Sequence, residues 1–378
     1  MRTDHHTTTR VLKAFTLAIL GWSASAKAFT PPQERFVAFK HLYYQEYQDN
    51  KKRMRVDAPA VAFGLPVGDS FYLDGYSVVD AISGASPSYY TTPDSFSDVT
   101  DQRRAFDLRG SIFSANHLLS LGVAYSTEND YVSESLSLSH KVATNDRNLT
   151  FSVGVARTND TINPITAIVK DQKKHVNEFL IGFDLVLSPN DMLQLSLVST
   201  QGKGYYSDPY KFFDNRPNRK SANSLGLQWN HHLSRVGFYN RFGARLYTDS
   251  FGIDSFTFSN DLVIPVSGSL RFIPSLRFYT QSEAYFFSRP NPERPDVPNV
   301  PSGHRLGVDF LSFDQRLSAF GAVTVGFKLE KRINSSLWVD LKYEGYQQKS
   351  RWGTYAPSTP GIADFKATFI QVGVKRIF

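Results

Sequence analysis

The side chains with most chemical reach in this chain are charges set at even spacing among apolar residues. Asp184 stands in "NEFLIGFDLVLS", Arg241 and Arg245 in "NRFGARLY", and Arg277 in "PSLRFYTQ". Glu283 follows shortly after. Lys328 and Glu330 fall in "VGFKLEK", and Asp340, Lys342 and Glu344 in "VDLKYEGY". Residues two and four apart share one face of a strand. Cations and carboxylates facing one another across water select ions, as rings of charge do in channels. The same groups pressed together form a salt-bridged plug. Both readings stay open at the level of sequence.

Other chemistry is harder to assemble. The nine histidines include His231 and His232, which as strand neighbours face opposite sides and cannot share one ion. His5, His6, His41, His117, His140, His175 and His304 show neither H-x-H nor H-E-x-x-H spacing. They read as polar residues of a rim or lumen. The chain has no cysteine, which removes thiolate metal sites, thiol nucleophiles and C-x-x-C-H haem attachment. No G-x-S-x-G elbow occurs, and Gly202-Lys203-Gly204 lacks the rest of a phosphate-binding loop. No catalytic, metal or cofactor residue is assigned, and no cofactor is expected. The chain is not read as an enzyme, although a hydrolase with its groups dispersed on strands stays as a third reading.

The elements that must position the charges alternate with period two. "NLTFSVGVA" opposes Leu149, Phe151, Val153 and Val155 to Thr150, Ser152 and Gly154, and "DMLQLSLVS" opposes Leu193, Leu195 and Leu197 to Gln194 and Ser196. Such strands have one apolar and one polar face. They read as long, about 10–15 residues, where strands of soluble sheets average about 5–6. Sixteen are placed, near 33–46, 53–66, 69–82, 103–114, 117–127, 130–142, 148–157, 174–187, 191–202, 221–233, 236–248, 252–266, 269–287, 318–331, 335–348 and 365–378. Fourteen is the alternative count, and "HRLGVDFLSF" within 288–317 could hide a further hairpin. Every long connection (83–102, 158–173, 203–220, 288–317, 349–364) follows an odd-numbered strand. Membrane barrels have short periplasmic turns and long outer loops; a sandwich has no reason for that parity. The fold class expected is therefore all-β: a single antiparallel transmembrane barrel. Charges on its polar phase must face inward, because one facing lipid at mid-height costs about 2–4 kcal/mol. Asp74, Asp80, Asp107, Arg109, Glu178 and Lys375 join the inward set. The long loops are rich in Pro, Gly, Tyr, Asp and Asn, and one or more should fold inward and narrow the lumen.

Residues 1–28 read as a cleaved signal peptide, with basic Arg2, Arg10 and Lys13, the apolar run "AFTLAILGWSASA" and A-x-A sites near Ala26 and Ala28. Residues 29–378 form the barrel. The leader carries net +3, so removing it from +7 leaves the mature chain near +4. Scattered charges of both signs do not make a nucleic-acid surface. The final segment "FIQVGVKRIF" reads as the closing strand. Its Gln371, Gly373 and Phe378 are similar to the C-terminal signal read by the outer-membrane assembly machinery, with Arg376 as a departure from that pattern.

Several stretches resemble a family of Gram-negative outer-membrane proteins catalogued as a domain of unknown function. They are "LYY-E" (Leu42, Tyr43, Tyr44, Glu46), "D-x-x-SGASP" (Asp80 to Pro87), "GY-x-SDPYK" (Gly204 to Lys211), Asp249 to Ile253, Pro274 to Gln281 and "RLSAFGA" (Arg316 to Ala322). Phe251 and Phe278 stand where the alternative aromatic is more usual. The resemblance implies a barrel in the outer membrane of a Gram-negative bacterium, in contact with lipid and lipopolysaccharide. It implies no activity. The resemblance implies that members are encoded near flavin-transfer lipoproteins and thioredoxin-like proteins, which points to envelope redox chemistry and a periplasmic or lipoprotein partner. The functional expectation is a porin-like passage for small solutes with a charged lumen. The alternative is a plugged barrel that serves as a docking or assembly platform.

Overall fold

The computed structural model describes residues 29–48, 51–84, 99–165, 167–211, 213–291, 293, 299–355 and 359–378. The segment 1–28 and most of the first long loop lie outside them. Sixteen strands run in chain order: β1 Phe36–Gln48, β2 Lys51–Val67, β3 Phe71–Gly84, β4 Val99–Phe113, β5 His117–Thr127, β6 Tyr131–Ala143, β7 Leu149–Ile162 and β8 Gln172–Ser188. They continue as β9 Asp191–Gly204, β10 Arg219–Leu233, β11 Phe238–Asp249, β12 Asp254–Pro265, β13 Leu270–Gln281, β14 Phe320–Arg332, β15 Leu337–Lys349 and β16 Phe365–Ile377.

Each strand pairs antiparallel with its neighbours in sequence, and β16 pairs with β1 to close the ring. That seam runs from Phe36 opposite Ile377 to Gln48 opposite Phe365, so no strand edge is left open. The connections after even-numbered strands are two to five residues long, while all the long ones follow odd-numbered strands. Among the described residues of 282–319 no extra hairpin forms; "HRLGVDFLSF" contributes two isolated bridges, Asn215 to Leu311 and Phe287 to Ser312. Prolines mark the ladder's gaps. The β2–β3 register skips Ala58 and Pro59, and the β12–β13 register skips Ile273 and Pro274, where an N–H is missing.

Alternation decides which way side chains point. Leu121, Val123, Leu136 and Leu138 stand about half exposed on the outer surface, while their neighbours Ser120 and Gly122 are buried inside. An exterior belt of exposed leucine, valine and phenylalanine is the surface a bilayer solvates. The interior is not uniformly polar. On β16, β1, β2 and β3, Leu42, Tyr44, Met54, Val56, Ala58, Ala60, Val78 and Ala367 form a buried apolar cluster. The expectation of one polar inner face therefore fails on this wall. The barrel has a dry apolar side, and its polar interior lies elsewhere.

Candidate lumen and outer mouth

From β7 to β11 the inner wall at mid-height is built from the smallest side chains. Ser152 pairs with Gly182, Gly182 with Ser196, Ser196 with Gly226, and Gly226 with Arg245. Small residues leave the space above them open, and the row ends on a guanidinium. Arg245 is exposed although it points inward, and lies 5.7 Å over the ring of Tyr247. Arg277 on β13 is also exposed and inward; it pairs with Ser259, which pairs with Gly243. Arg277 thus stands at a height between Arg241 and Arg245. The three arginines form a basic patch around β12, whose Asp261 pairs with Arg241.

On β14 and β15 the carboxylates are paired with cations. Lys328 holds Glu330 at 2.5 Å and Asp340 at 3.8 Å, and Lys342 holds Glu344 at 2.9 Å. Arg271 adds a contact to Glu330 at 3.7 Å. Lysines interleaved at i+2 neutralise the carboxylates that sequence spacing presented as a face. Asp261 on β12 stands beside Arg241, and Arg245 and Arg277 are exposed to either side of it. Asp184 accepts from Gln194 and faces Lys141 at 3.8 Å. Asp74 is paired with Arg109, and Asp80 with Arg103. Glu283 departs from expectation: β13 ends at Gln281, so Glu283 belongs to the following loop, where it binds Arg289 at 2.8 Å.

The outer mouth is crossed by loops. A 3-10 turn, Gln315–Leu317, leads into β14. Gln48 at the end of β1 donates to Gln315 at 3.3 Å, while Gln281 at the end of β13 donates to the carbonyls of Arg316 and Ser318. The same turn reaches the β9–β10 loop: Arg316 bonds Asp208 at 2.9 Å, and Arg216 bonds Asp314 at 2.8 Å and Asp214 at 2.8 Å. β1 and β10 are seven places apart in a ring of sixteen. The turn and the β9–β10 loop together therefore link nearly opposite sides of the ring. Phe251, Ile253, Ala284, Phe286, Phe287 and Leu317 pack into one core that joins two loops, and Tyr206 and Ile362 pack against it from two others. Tyr210 donates to Asp130 at 2.6 Å and accepts from the Ile165 backbone, which ties in two more.

Burial opposes charge throughout this cap. At Asp314 it is outweighed by the guanidinium groups of Arg316 and Arg216, which hold the carboxyl well below the usual range. At Asp214 burial prevails over Arg216, and the carboxyl is raised. Tyr205 and Tyr206 are pushed up to about 12, chiefly by burial. Sequence reading anticipated inward loops but none of the five ionic residues. The available signal was that "GYYSDPYK" and "RLSAFGA", far apart in sequence, both begin beside charge; Asp208 and Arg316 join them.

The histidines make local contacts. His231 bonds Asp191 at 2.7 Å, His232 bonds Asn190, and His117 meets His140 at 3.2 Å. Among the described residues no three metal-ligating groups converge. At the closing strand, Ile370, Val372 and Val374 are exposed outward and Gln371 is buried inward. A side chain at Gly373 would collide with the Asp340 carboxylate, so this glycine also makes room for a lumen charge.

Solved structures with similar folds include the siderophore receptor PirA of Pseudomonas aeruginosa, at 13% identity and TM-score 0.44, with 85% of this chain and 57% of PirA covered. This chain thus spans little more than half of that receptor. A bacterial polysaccharide outer membrane secretin matches at 9% identity and TM-score 0.47, covering 90% of this chain and 98% of the other. OccK2 (OpdF) of Pseudomonas aeruginosa matches at 10% identity and TM-score 0.44, covering 91% and 98%. No curated protein matches this chain. Residues 90–369 match a family model, and the chain belongs to that family, described as "Protein of unknown function (DUF3570)".

Proposed function

We propose that this protein is an outer-membrane passage for small polar solutes, with a preference for anions set by Arg241, Arg245 and Arg277. The observation that carries the reading is the exposure of Arg245 and Arg277, both inward-facing, at the end of a Gly/Ser row. Guanidinium groups held in water inside a low-dielectric wall attract anions and repel cations. The cap makes the passage a constricted one, entered past folded loops and not through an open mouth.

The test is conductance of the purified protein in a planar bilayer under a salt gradient. Stepwise conductance with an anion-selective reversal potential is expected, moving toward cations in Arg245→Glu/Arg277→Glu. A silent bilayer, or unchanged selectivity in the double variant, would overturn the reading. The buried ionic cap favours a second reading, a sealed barrel that serves as a docking platform for a periplasmic or lipoprotein partner. It predicts no conductance together with recovery of such a partner from envelope extracts.

A further inference from the structure

The outer surface of the barrel carries a groove that the lumen does not use. It has a volume of about 700 Å³ and is lined by Tyr47, Val323, Val325, Gly345, Trp352 and Lys366, among others. Strand register shows how it forms. Val323, Gln347, Lys366 and Tyr47 make one outward row across β14, β15, β16 and β1. Val325, Gly345 and Thr368 make the row beneath, toward the periplasm. Gly345 lacks a side chain where each neighbour has one, so the apolar belt is notched there. Tyr343 and Ile370 form the next row down and are exposed on the belt.

Trp352 overhangs the notch because the chain after β15 folds back onto the exterior. A side chain at Gly321 would meet the Trp352 backbone, so this glycine permits the close approach. The Thr354 N–H bonds Thr280 Oγ1 at 2.9 Å, pinning the next residues to β13. Lys349 lies 5.0 Å over the Trp352 ring and 3.3 Å from Asp364. Lys366 is exposed at the groove's rim. The site therefore has an apolar floor, an indole roof and a cationic edge, at the end of the barrel that carries the long loops. Tryptophan and lysine are the side chains that anchor at a membrane interface.

We propose that this groove holds one acyl chain of a lipopolysaccharide molecule in the outer leaflet, with a lipid A phosphate on Lys366. The chemistry is complementary at both ends: hydrocarbon against Val323, Val325 and Trp352, and a phosphate against an ammonium. The volume lies within the range of about 300–1,000 Å³ typical of ligand sites. The inference is independent of whether the lumen conducts.

The experiment is native mass spectrometry of protein refolded free of lipid, then incubated with purified lipid A and passed through detergent exchange. Wild type should retain one lipid A. Gly345→Phe fills the notch; its Cβ would meet only the Tyr343 hydroxyl and Val325 carbonyl at ordinary contact, 3.9 and 4.0 Å, so the barrel should tolerate it. Gly345→Phe and Lys366→Glu should each reduce retention severalfold, while Arg219→Glu, an exposed cation on β10, should not. Heat-modifiable mobility on an unboiled gel verifies folding, and Lys366→Glu carries the test if Gly345→Phe does not fold. Equal retention by wild type and the folded groove variants would overturn the proposal. So would preference for a glycerophospholipid over lipid A, or a protein oligomer in place of a lipid-bound monomer.

Discussion

Arg316 bonds Asp208 at 2.9 Å across 108 residues of chain. The pair fastens the start of β14 to the β9–β10 loop, and Arg216 repeats the connection through Asp314. Asp314 and Arg216 are almost fully buried, with side-chain exposures of 1% and 8%. A buried ion pair is a weak source of net stability, but removing one partner is strongly destabilising because the other charge remains. The cap is therefore a unit that holds tightly or opens.

Arg216→Leu should release it. The change strands Asp214 in a buried site and leaves Asp314 to Arg316, at a local cost of about 3–5 kcal/mol. Proteolysis should cut residues 205–218 or 299–319 in the variant before wild type. The closed barrel does not depend on this pair, so its heat-modifiable gel shift should persist. If the lumen conducts, the same variant should show larger or more frequent openings. Unaltered protease resistance would mean that the apolar core of Phe251, Phe286 and Leu317 holds the cap without ionic help.

Acid should tighten the cap before loosening it. Burial raises Asp214, so its contribution is full below the ordinary carboxylate pKa of about 3.9 and is lost as pH rises through the raised value. Asp314 is depressed by its arginines against the effect of burial. Its contribution is present above about 3.9 and is lost only as pH falls through the depressed value. Between neutrality and pH of about 4, amide protection in residues 205–216 should rise after correction for intrinsic exchange. Asp214→Asn should abolish that rise. Protection that falls steadily with acid would contradict it.

The passage should be sensitive to width on one face only. Ser196→Trp places an indole in the inward Gly/Ser row, between Gly182 and Gly226. Ser199→Trp, three residues on, places the same ring on the outer face of the same strand. Single-channel conductance should fall sharply for Ser196→Trp and remain near wild type for Ser199→Trp. Equal effects would show that strand parity does not decide access to the lumen.

What was legible in the sequence follows from periodicity. Alternation and the parity of loop lengths placed all sixteen strands in order, because side-chain direction on a strand repeats every two residues whatever the partner strand. Arg241, Arg245 and Arg277 were assigned inward on that basis. Two things were not legible. The pairing of Lys328 with Glu330 and of Lys342 with Glu344 depends on side-chain direction along one strand, and the reach of Lys328 to Asp340 on the β14–β15 register. Glu283 was carried onto a strand drawn to 287, whereas the ladder ends at Gln281. The inward loops were anticipated, but the pairing inside the cap was not: the meeting of Asp208 and Arg316 is a property of the closed ring.

The closing seam offers the last prediction. Phe378 sits just past β16, its N–H bonded to the Arg35 carbonyl at 2.9 Å, and its ring is 70% exposed with Arg376 5.2 Å above it. So exposed a ring contributes little to packing in the finished barrel. Its N–H extends the seam by one hydrogen bond beyond the Phe36–Ile377 pair. Losing one such bond costs only about 1 kcal/mol, too little to unfold a ring of sixteen paired strands. Deletion of Phe378 should therefore leave protein refolded in detergent close to wild type in thermal stability. In cells it should sharply reduce the amount inserted in the outer membrane, because the missing ring would act during recognition and not in the final fold. Equal surface levels of both proteins would show that Gln371 and Gly373 suffice for assembly. A large loss of stability in vitro would instead make Phe378 a structural residue of the seam.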